Sequence, residues 1–159
     1  MRNGYAALFA LGFTLSGGTI AAQGDNTTFT WKFEEASKLM EEKFFNQAAD
    51  IWQELVVAQP ENANLNYKLG ASYFNSYNQK AKALPYLQKA SDLRKQQYGG
   101  FNTAGYDPFD PKETNAPMEV DYYLGRAYHL AGDLDKADQN YQKFLEECGE
   151  NHELRKQAI

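Results

Sequence analysis

The chain has 159 residues and a formal net charge of −5 at pH 7, and this length predicts a single domain. Its Lys and Arg residues are scattered among Asp and Glu residues along the chain. This pattern argues against a nucleic-acid-binding protein, because the neutralisation of phosphates needs clustered basic residues. Cys148 is the only cysteine, so no disulfide can form within the chain.

The first 22 residues have the three regions of a secretory signal peptide. Arg2 supplies the positive charge, residues 6–15 form an apolar stretch, and small residues lead to a cleavage point after Ala22. The apolar stretch is shorter than the roughly 20 residues that span a bilayer. We therefore predict an exported protein that is periplasmic or associated with the outer membrane and does not span a membrane after cleavage. Its mature chain would carry a net charge of −6, since Arg2 is lost. The alternative is an ordinary buried N-terminal helix.

Three segments repeat one spacing of small and large residues. In each segment a small residue is followed three positions later by a large one, then by an alanine, then by a bulky residue four positions after that alanine. The small residues are Ala36, Gly70 and Gly125, the alanines are Ala48, Ala83 and Ala137, and the bulky residues are Trp52, Leu87 and Tyr141. Small residues allow two helices to pack closely, with large residues one turn away on either side. The pattern predicts helical hairpins.

These segments resemble the tetratricopeptide repeat (TPR), whose period of 34 residues equals the step from Ala36 to Gly70. The Leu-Gly-x-x-Tyr sequences at 69–73 and 124–128 are similar to the signature of its first helix. The resemblance implies an all-α solenoid of three repeats, at about 29–62, 63–97 and 118–151, in which residues 152–159 start a capping or truncated helix. Glu35, Phe144 and Gly149 depart from the family pattern. In repeat three, Gly132 is expected to end the first helix with a positive φ.

Residues 98–117 form an insertion between repeats two and three. They include three prolines and three glycines, so they cannot form a regular helix. They also include four aromatic residues, namely Tyr98, Phe101, Tyr106 and Phe109. We predict an ordered loop that these rings hold against the solenoid. The acidic residues of the loop do not have the spacing of an EF-hand, so no calcium site is expected.

The resemblance to TPR proteins implies a binding groove lined by the first helices. Aromatic and basic residues are common in binding hot spots. The predicted partner-binding residues are Phe33, Tyr67, Phe74, Tyr122, Arg126 and His129 on the helices, with Phe101 and Phe109 on the loop. The alternative for the aromatic residues is a place in the core between repeats.

No pattern of catalytic residues accompanies the repeats. His129 and His152 are the only histidines, and neither lies in a metal-binding or nucleophile–base motif. Cys148 lacks a basic neighbourhood that would activate it, so it is predicted to be a small, partly buried residue near the end of the last second helix. We therefore expect no enzymatic activity, no cofactor and no metal.

Residues 99–145 also resemble the N-terminal region of Bacteroidota envelope proteins that join TPRs to a β-propeller and an outer-membrane-protein-A-like domain. Because neither further domain is in this sequence, the peptidoglycan binding of those proteins is not expected of it, and the chain is expected to be the front of a longer protein. The predicted function is a non-catalytic scaffold of the cell envelope that binds a partner protein or peptide in the groove. The alternative is a small-ligand or glycan-binding module that uses the groove and the aromatic loop.

Overall fold

The computed structural model describes residues 19–98 and 106–159, with side chains from residue 26 to 94 and from 106 to 159. These residues form helices and connections and contain no strand, so the predicted all-α class is confirmed. The helices are α1 (Thr19–Glu41), α2 (Phe45–Ala58), α3 (Ala63–Asn75), α4 (Ala83–Tyr98), α5 (Glu119–Ala131), α6 (Leu134–Glu147) and α7 (Arg155–Ala158), with a 3-10 turn at Lys80–Lys82. Most of the predicted signal peptide and Phe101 lie outside the described residues. Across the described ranges, no helix is both long enough and apolar enough to cross a membrane.

The helices pack against one another in chain order, and α3 also contacts α5. Short connections join α1 to α2, α2 to α3 and α5 to α6, as is usual for antiparallel neighbours. One apolar core extends from α1 to α5, and a second, smaller core contains Phe144 and Cys148 near the C-terminus. Cys148 directly follows α6, as predicted, but it is buried instead of partly buried.

Two glycines permit the closest helix contacts. A Cβ atom at Gly70 of α3 would lie 2.7 Å from Leu87 Cγ of α4, and one at Gly125 of α5 would lie 2.8 Å from the Tyr141 ring of α6. Both distances are too short for a real side chain. The predicted contact of Gly70 and Gly125 with the following helix is therefore confirmed.

A tyrosine three residues after each of these glycines binds the preceding helix pair. The Tyr73 hydroxyl donates a 2.8 Å hydrogen bond to Gln53 Oε1 of α2, and the Tyr128 hydroxyl donates a 2.6 Å hydrogen bond to Gln88 Oε1 of α4. The two bonds join successive helix pairs at the same position of the spacing pattern. They fix the pairs in one register, because a hydrogen bond between partly buried side chains is directional.

The turns after α1 and α5 each contain one residue in the left-handed backbone conformation, with a positive φ. Gly132 has a φ of 82°, as predicted, and the Asp133 side chain then accepts a hydrogen bond from the Lys136 backbone N–H at the start of α6. The corresponding turn after α1 has Lys43 with a φ of 64°. A residue with a Cβ is strained in this conformation, whereas glycine is not.

We expect Lys43→Gly to raise the free energy of unfolding by about 0.5–1 kcal/mol, because it removes this strain. Urea denaturation of the variant measures the change. Lys43→Ala is the matched control, since alanine loses the same side chain but keeps its Cβ and should give no such gain. Equal stability of the glycine and alanine variants would contradict the role assigned to the left-handed turn.

Candidate partner-binding groove

Three of the predicted binding residues are buried in the core. The exposed fraction is 0% for Phe33, 5% for Phe74 and 1% for Tyr122. The prediction that these rings are exposed in an open groove is therefore wrong, although the edge of Phe74 lines one pocket. The physical reason is that neighbouring helices cover these rings, since Phe33 packs against Trp52 of α2, Phe74 against Tyr123 of α5, and Tyr122 against Phe144 of α6.

The other predicted residues are more accessible. Tyr67 and Arg126 are partly buried, and His129 is exposed. Phe109 is 56% exposed and does not pack in either core. The structure places Arg126 and His129 in one pocket and Tyr67 in another.

Tyr106 and Asn64 hold the described part of the loop on α3. The Tyr106 hydroxyl donates a 2.9 Å hydrogen bond to Asn64 Oδ1, and the Asn64 backbone N–H donates to the Thr114 carbonyl at 3.3 Å. Asn64 is fully buried. The predicted attachment of the loop by aromatic rings thus applies to Tyr106 but not to Phe109.

The acidic residues of the loop stabilise its turns. Asp107 accepts a hydrogen bond from the Phe109 backbone N–H at 2.9 Å, and Asp110 accepts one from the Lys112 backbone N–H at 2.8 Å. These are turns in which an aspartate binds the backbone two residues later. Among the described residues, no group of three or more His, Cys, Asp or Glu side chains could hold a metal ion.

A cavity of about 450 Å³ lies between α3, the start of α5, the loop and the C-terminal turn, and we call it the tyrosine pocket. Its walls include Tyr67, Lys68, Tyr106, Glu119, Tyr123 and Leu154. Burial raises the pKa of Tyr67 and of Tyr106 above the ordinary value, so both hydroxyls stay protonated at neutral pH. The Tyr67 hydroxyl can therefore donate a hydrogen bond into the pocket, whereas that of Tyr106 already donates to Asn64.

Lys68 is a buried cation in the wall of this pocket. The residue is only 6% exposed, and its Nζ lies 5.3 Å from the ring centroids of both Phe33 and Trp52. Desolvation lowers the pKa of Lys68 from 10.5 to about 8, although the charges of Asp107 and Glu41 oppose this change. Within the described part of the chain, the ammonium has no hydrogen-bond acceptor and no carboxylate at ion-pair distance. The sequence analysis missed this residue.

Lys68→Met is expected to stabilise the protein by about 1–2 kcal/mol at pH 7. A pKa that falls from 10.5 to about 8 corresponds to roughly 3 kcal/mol of burial cost. Cation–π attraction to the Phe33 and Trp52 rings offsets part of this cost, by about 0.5–1 kcal/mol for each ring. Methionine keeps the length of the side chain but carries no charge. Urea denaturation at pH 7 measures the difference, and a less stable variant would contradict the prediction.

The pH dependence gives a control for this prediction. Because the folded-state pKa of Lys68 is lowered, the folded protein binds fewer protons than the unfolded chain between pH 8 and pH 10.5. The stability contributed by this group therefore rises as pH rises through that window. The advantage of Lys68→Met should accordingly shrink between pH 8 and pH 10.

A second cavity of about 260 Å³, which we call the basic pocket, opens beside the 3-10 turn. It is lined by Phe74, Lys80, Arg126, His129, Leu130 and Tyr141. The Arg126 guanidinium carbon lies 4.7 Å from the Phe74 ring centroid and 5.6 Å from that of Tyr122. In the described chain, Arg126 forms no ion pair, and no carboxylate lines this pocket.

Tyr123 connects the two pockets. Its ring centroid lies 6.2 Å from Tyr67 in the tyrosine pocket and 5.9 Å from Phe74 in the basic pocket. We call the surface formed by the two pockets and Tyr123 the groove. Lys68 and Phe74 are six residues apart on α3, which corresponds to about 9 Å along the helix axis. The buried rings of Phe33 and Tyr122 thus contact the two cations of the groove without lining either pocket, whereas Phe74 lines the basic pocket although it is only 5% exposed.

The C-terminal turn closes one end of the groove. His152 Nε2 lies 3.1 Å from Glu119 Oε1, and the Tyr122 hydroxyl donates a 2.7 Å hydrogen bond to Gln157 Oε1. Arg155 donates to the Leu145 carbonyl at 2.9 Å. These contacts place Leu154 in the wall of the tyrosine pocket.

An ionic cluster centred on a buried arginine joins α4, α5 and the end of α6. Arg94 of α4 contacts Asp121 of α5 at 3.2 Å and also binds Glu147 at the end of α6. The Ser91 hydroxyl donates a 2.8 Å hydrogen bond to Asp121. The side chains of Arg94 and Asp121 are each 3% exposed. The cluster therefore attaches the α5–α6 pair to α4.

The chain was also compared with known proteins. No family model matches it, and no curated protein does so.

Proposed function

We propose that this protein is a non-catalytic binding module of the bacterial cell envelope that holds a partner protein or peptide in the groove. The observation that carries the proposal is the pair of pockets joined by Tyr123, each with a cation that has no carboxylate partner in the described chain. A buried charge without a partner costs free energy. A ligand that supplies the missing partner at either pocket would recover part of that cost.

We further propose that the helix pairs form a TPR solenoid of three repeats with residues 98–117 inserted before the third. The close contacts of Gly70 and Gly125 support this assignment, because each occurs at the same position of the spacing pattern. The bonds Tyr73–Gln53 and Tyr128–Gln88 support it in the same way. In such a solenoid the first helices line a concave binding surface.

The proposed location outside the cytoplasm rests on the first 22 residues. The positive start, the apolar stretch and the small residues before Gln23 support cleavage after Ala22. That point falls inside α1, after the fourth residue of the helix. Cleavage would therefore shorten α1 at its beginning and leave Phe33 and Ala36 in the core.

A small-ligand or glycan-binding module is a second candidate, which one observation favours. The tyrosine pocket has a volume of about 450 Å³, within the range of pockets that bind small molecules, and tyrosines line it. A thermal-shift screen with glycans separates the two functions. Stabilisation by a glycan that is lost in Tyr123→Ala would favour the second candidate.

The test of the favoured function is a comparative capture from native envelope extract with the immobilised protein. The double variant Arg126→Gln, His129→Gln removes the polar contacts of the basic pocket. Gln139→Ala, on the exposed side of α6, is the control. The wild type and the control should capture equal amounts of a true partner. The affinity of the double variant for that partner should be about tenfold lower, which is a change of about 1.4 kcal/mol in binding free energy. Equal capture by all three proteins would contradict the proposal.

A further inference from the structure

We propose that the protein binds the surface of a phospholipid membrane through one end of the helix stack, where three turns carry exposed apolar side chains beside lysines. This end, which we call the turn edge, consists of residues 41–46, 75–82 and 131–136. Each range starts at the last residue of α1, α3 or α5. The proposal goes beyond the partner binding assigned to the groove and does not rest on it.

The three turns of the turn edge lie side by side. The Gln79 side-chain amide donates a 3.1 Å hydrogen bond to Asn46 Oδ1, which joins the second turn to the first. The 3-10 turn at Lys80–Lys82 contacts α5, the helix that ends at the third turn. Residues of the three turns therefore form one continuous surface.

Each turn presents one large apolar side chain to solvent. The exposed fraction is 53% for Phe44, 96% for Tyr77 and 62% for Leu134, and none of the three packs in either core. Side chains that project from separate turns can each insert between lipid headgroups. Aromatic side chains in particular favour the boundary between headgroups and acyl chains. The turn edge thus has the apolar contacts of a peripheral membrane surface.

Lysines accompany the apolar side chains on the first two turns. Lys43 precedes Phe44, and Lys80 and Lys82 follow Tyr77. Within the described residues, none of these three lysines forms an ion pair, and Lys82 donates a hydrogen bond only to the neutral Gln79 side chain. An ammonium group has three donors, which lipid phosphate oxygens can accept.

The acidic residues of the turn edge do not outweigh its lysines. The three ranges contain four lysines and four acidic residues, so their formal charge is zero, whereas the whole chain carries −5. Glu42 already pairs with Lys38, and Asp133 pairs with Lys136. Acids on the rest of the chain are screened beyond about 10 Å at 0.1 M salt. Apolar insertion must therefore carry most of the binding, and the free lysines add attraction to anionic lipids.

A cleft between the first two turns can receive a lipid headgroup. It has a volume of about 550 Å³, and Phe44 and Tyr77 line it together with the side-chain amides of Asn46 and Gln47. In the described chain, Lys43 is the one charged residue that lines this cleft. Amide and ammonium donors beside two aromatic rings suit the phosphate and glycerol oxygens of a phospholipid.

The experiment is cosedimentation of the full chain with large vesicles of phosphatidylcholine that contain about a quarter of phosphatidylglycerol. The triple variant Phe44→Ser, Tyr77→Ser, Leu134→Ser should partition onto the vesicles about tenfold less than the wild type, and Tyr77→Ser alone about threefold less. Val57→Ser is the matched control, since it removes an equally exposed apolar residue at the far end of α2, and its partition should equal that of the wild type. Residues 1–22 are the same in all these proteins and contribute equally.

Two further comparisons give the inference a sharp outcome. Lys43→Gln combined with Lys82→Gln should weaken binding to the anionic vesicles and leave binding to pure phosphatidylcholine unchanged. Tyr77 is almost fully exposed, so a loss in Tyr77→Ser cannot come from a disrupted core. No vesicle binding by the wild type, or equal partition of the wild type and the triple variant, overturns the inference. If the triple variant instead loses a protein from envelope extract while vesicles are not bound, the turn edge binds protein and not lipid.

Discussion

Arg94→Met is expected to lower the free energy of unfolding by about 3–5 kcal/mol, because it leaves the buried Asp121 and the partly buried Glu147 without their cation. Asp121 would keep its hydrogen bond from Ser91, but no positive charge would replace the guanidinium. Urea denaturation measures the loss. The matched control is Lys89→Met, which removes an exposed ion pair with Glu61 and should cost less than about 1 kcal/mol.

A triple variant separates charge from packing in this cluster. When Arg94→Met is combined with Asp121→Asn and Glu147→Gln, no uncompensated charge remains, so part of the lost stability should return. Recovery would show that the buried charges cause the effect. If Arg94→Met costs no more than Lys89→Met, the ionic cluster does not hold the α5–α6 pair on α4.

Gly70→Leu and Gly125→Leu are each expected to destabilise the protein by about 1–3 kcal/mol or more. At both positions the next helix is already so close that no space is left for a side chain. At Gly70 the first added carbon would lie 2.7 Å from Leu87 Cγ and 3.1 Å from the Leu87 backbone nitrogen, so α4 itself must move. At Gly125 it would meet the Tyr141 ring at 2.8 Å and the Ala137 carbonyl at 3.2 Å.

Gly149→Leu is the control for these two variants. Nothing lies within 4 Å of a Cβ atom at Gly149, so the same change there should alter stability by less than about 0.5 kcal/mol. Chemical denaturation of the three variants gives the comparison. Wild-type stability of Gly70→Leu and Gly125→Leu would mean that the two helix pairs are not packed as described.

The features that the sequence predicted correctly depend on local residue types. A glycine at a helix contact and a glycine at a left-handed turn have few substitutes, and this is why Gly70, Gly125 and Gly132 were identified. The attachment of the loop by an aromatic ring was also predicted, although only Tyr106 of the two described loop rings provides it.

The surface of the candidate site could not be predicted from helix periodicity alone. Periodicity places Phe33, Phe74 and Tyr122 on one face of each first helix, but it does not tell whether a neighbouring pair covers that face. Lys68 carries a signal in the sequence, since it is a cation between Tyr67 and Leu69 in a helix, whereas Arg94 is followed by Lys95 and two glutamines and carries none. A charge at such a position is a partner of another buried group or a candidate ligand site.

Lys68 connects stability to function. The lysine is expected to cost the folded protein stability at neutral pH, and methionine at this position should remove that cost. A residue that destabilises the fold and contacts a binding pocket is typical of functional sites. If Lys68→Met is more stable and also binds the envelope partner less tightly, both effects have one cause, the buried ammonium.

The most direct test of the groove is photocrosslinking in the native cell from two exposed apolar positions. Leu130 is 60% exposed and lines the basic pocket, whereas Val57 is 73% exposed at the end of α2. A photoreactive phenylalanine at each position reports which surface the partner contacts. The groove proposal predicts a discrete protein adduct from position 130 that Arg126→Gln suppresses, and none from position 57. Adducts from position 57 alone would contradict it.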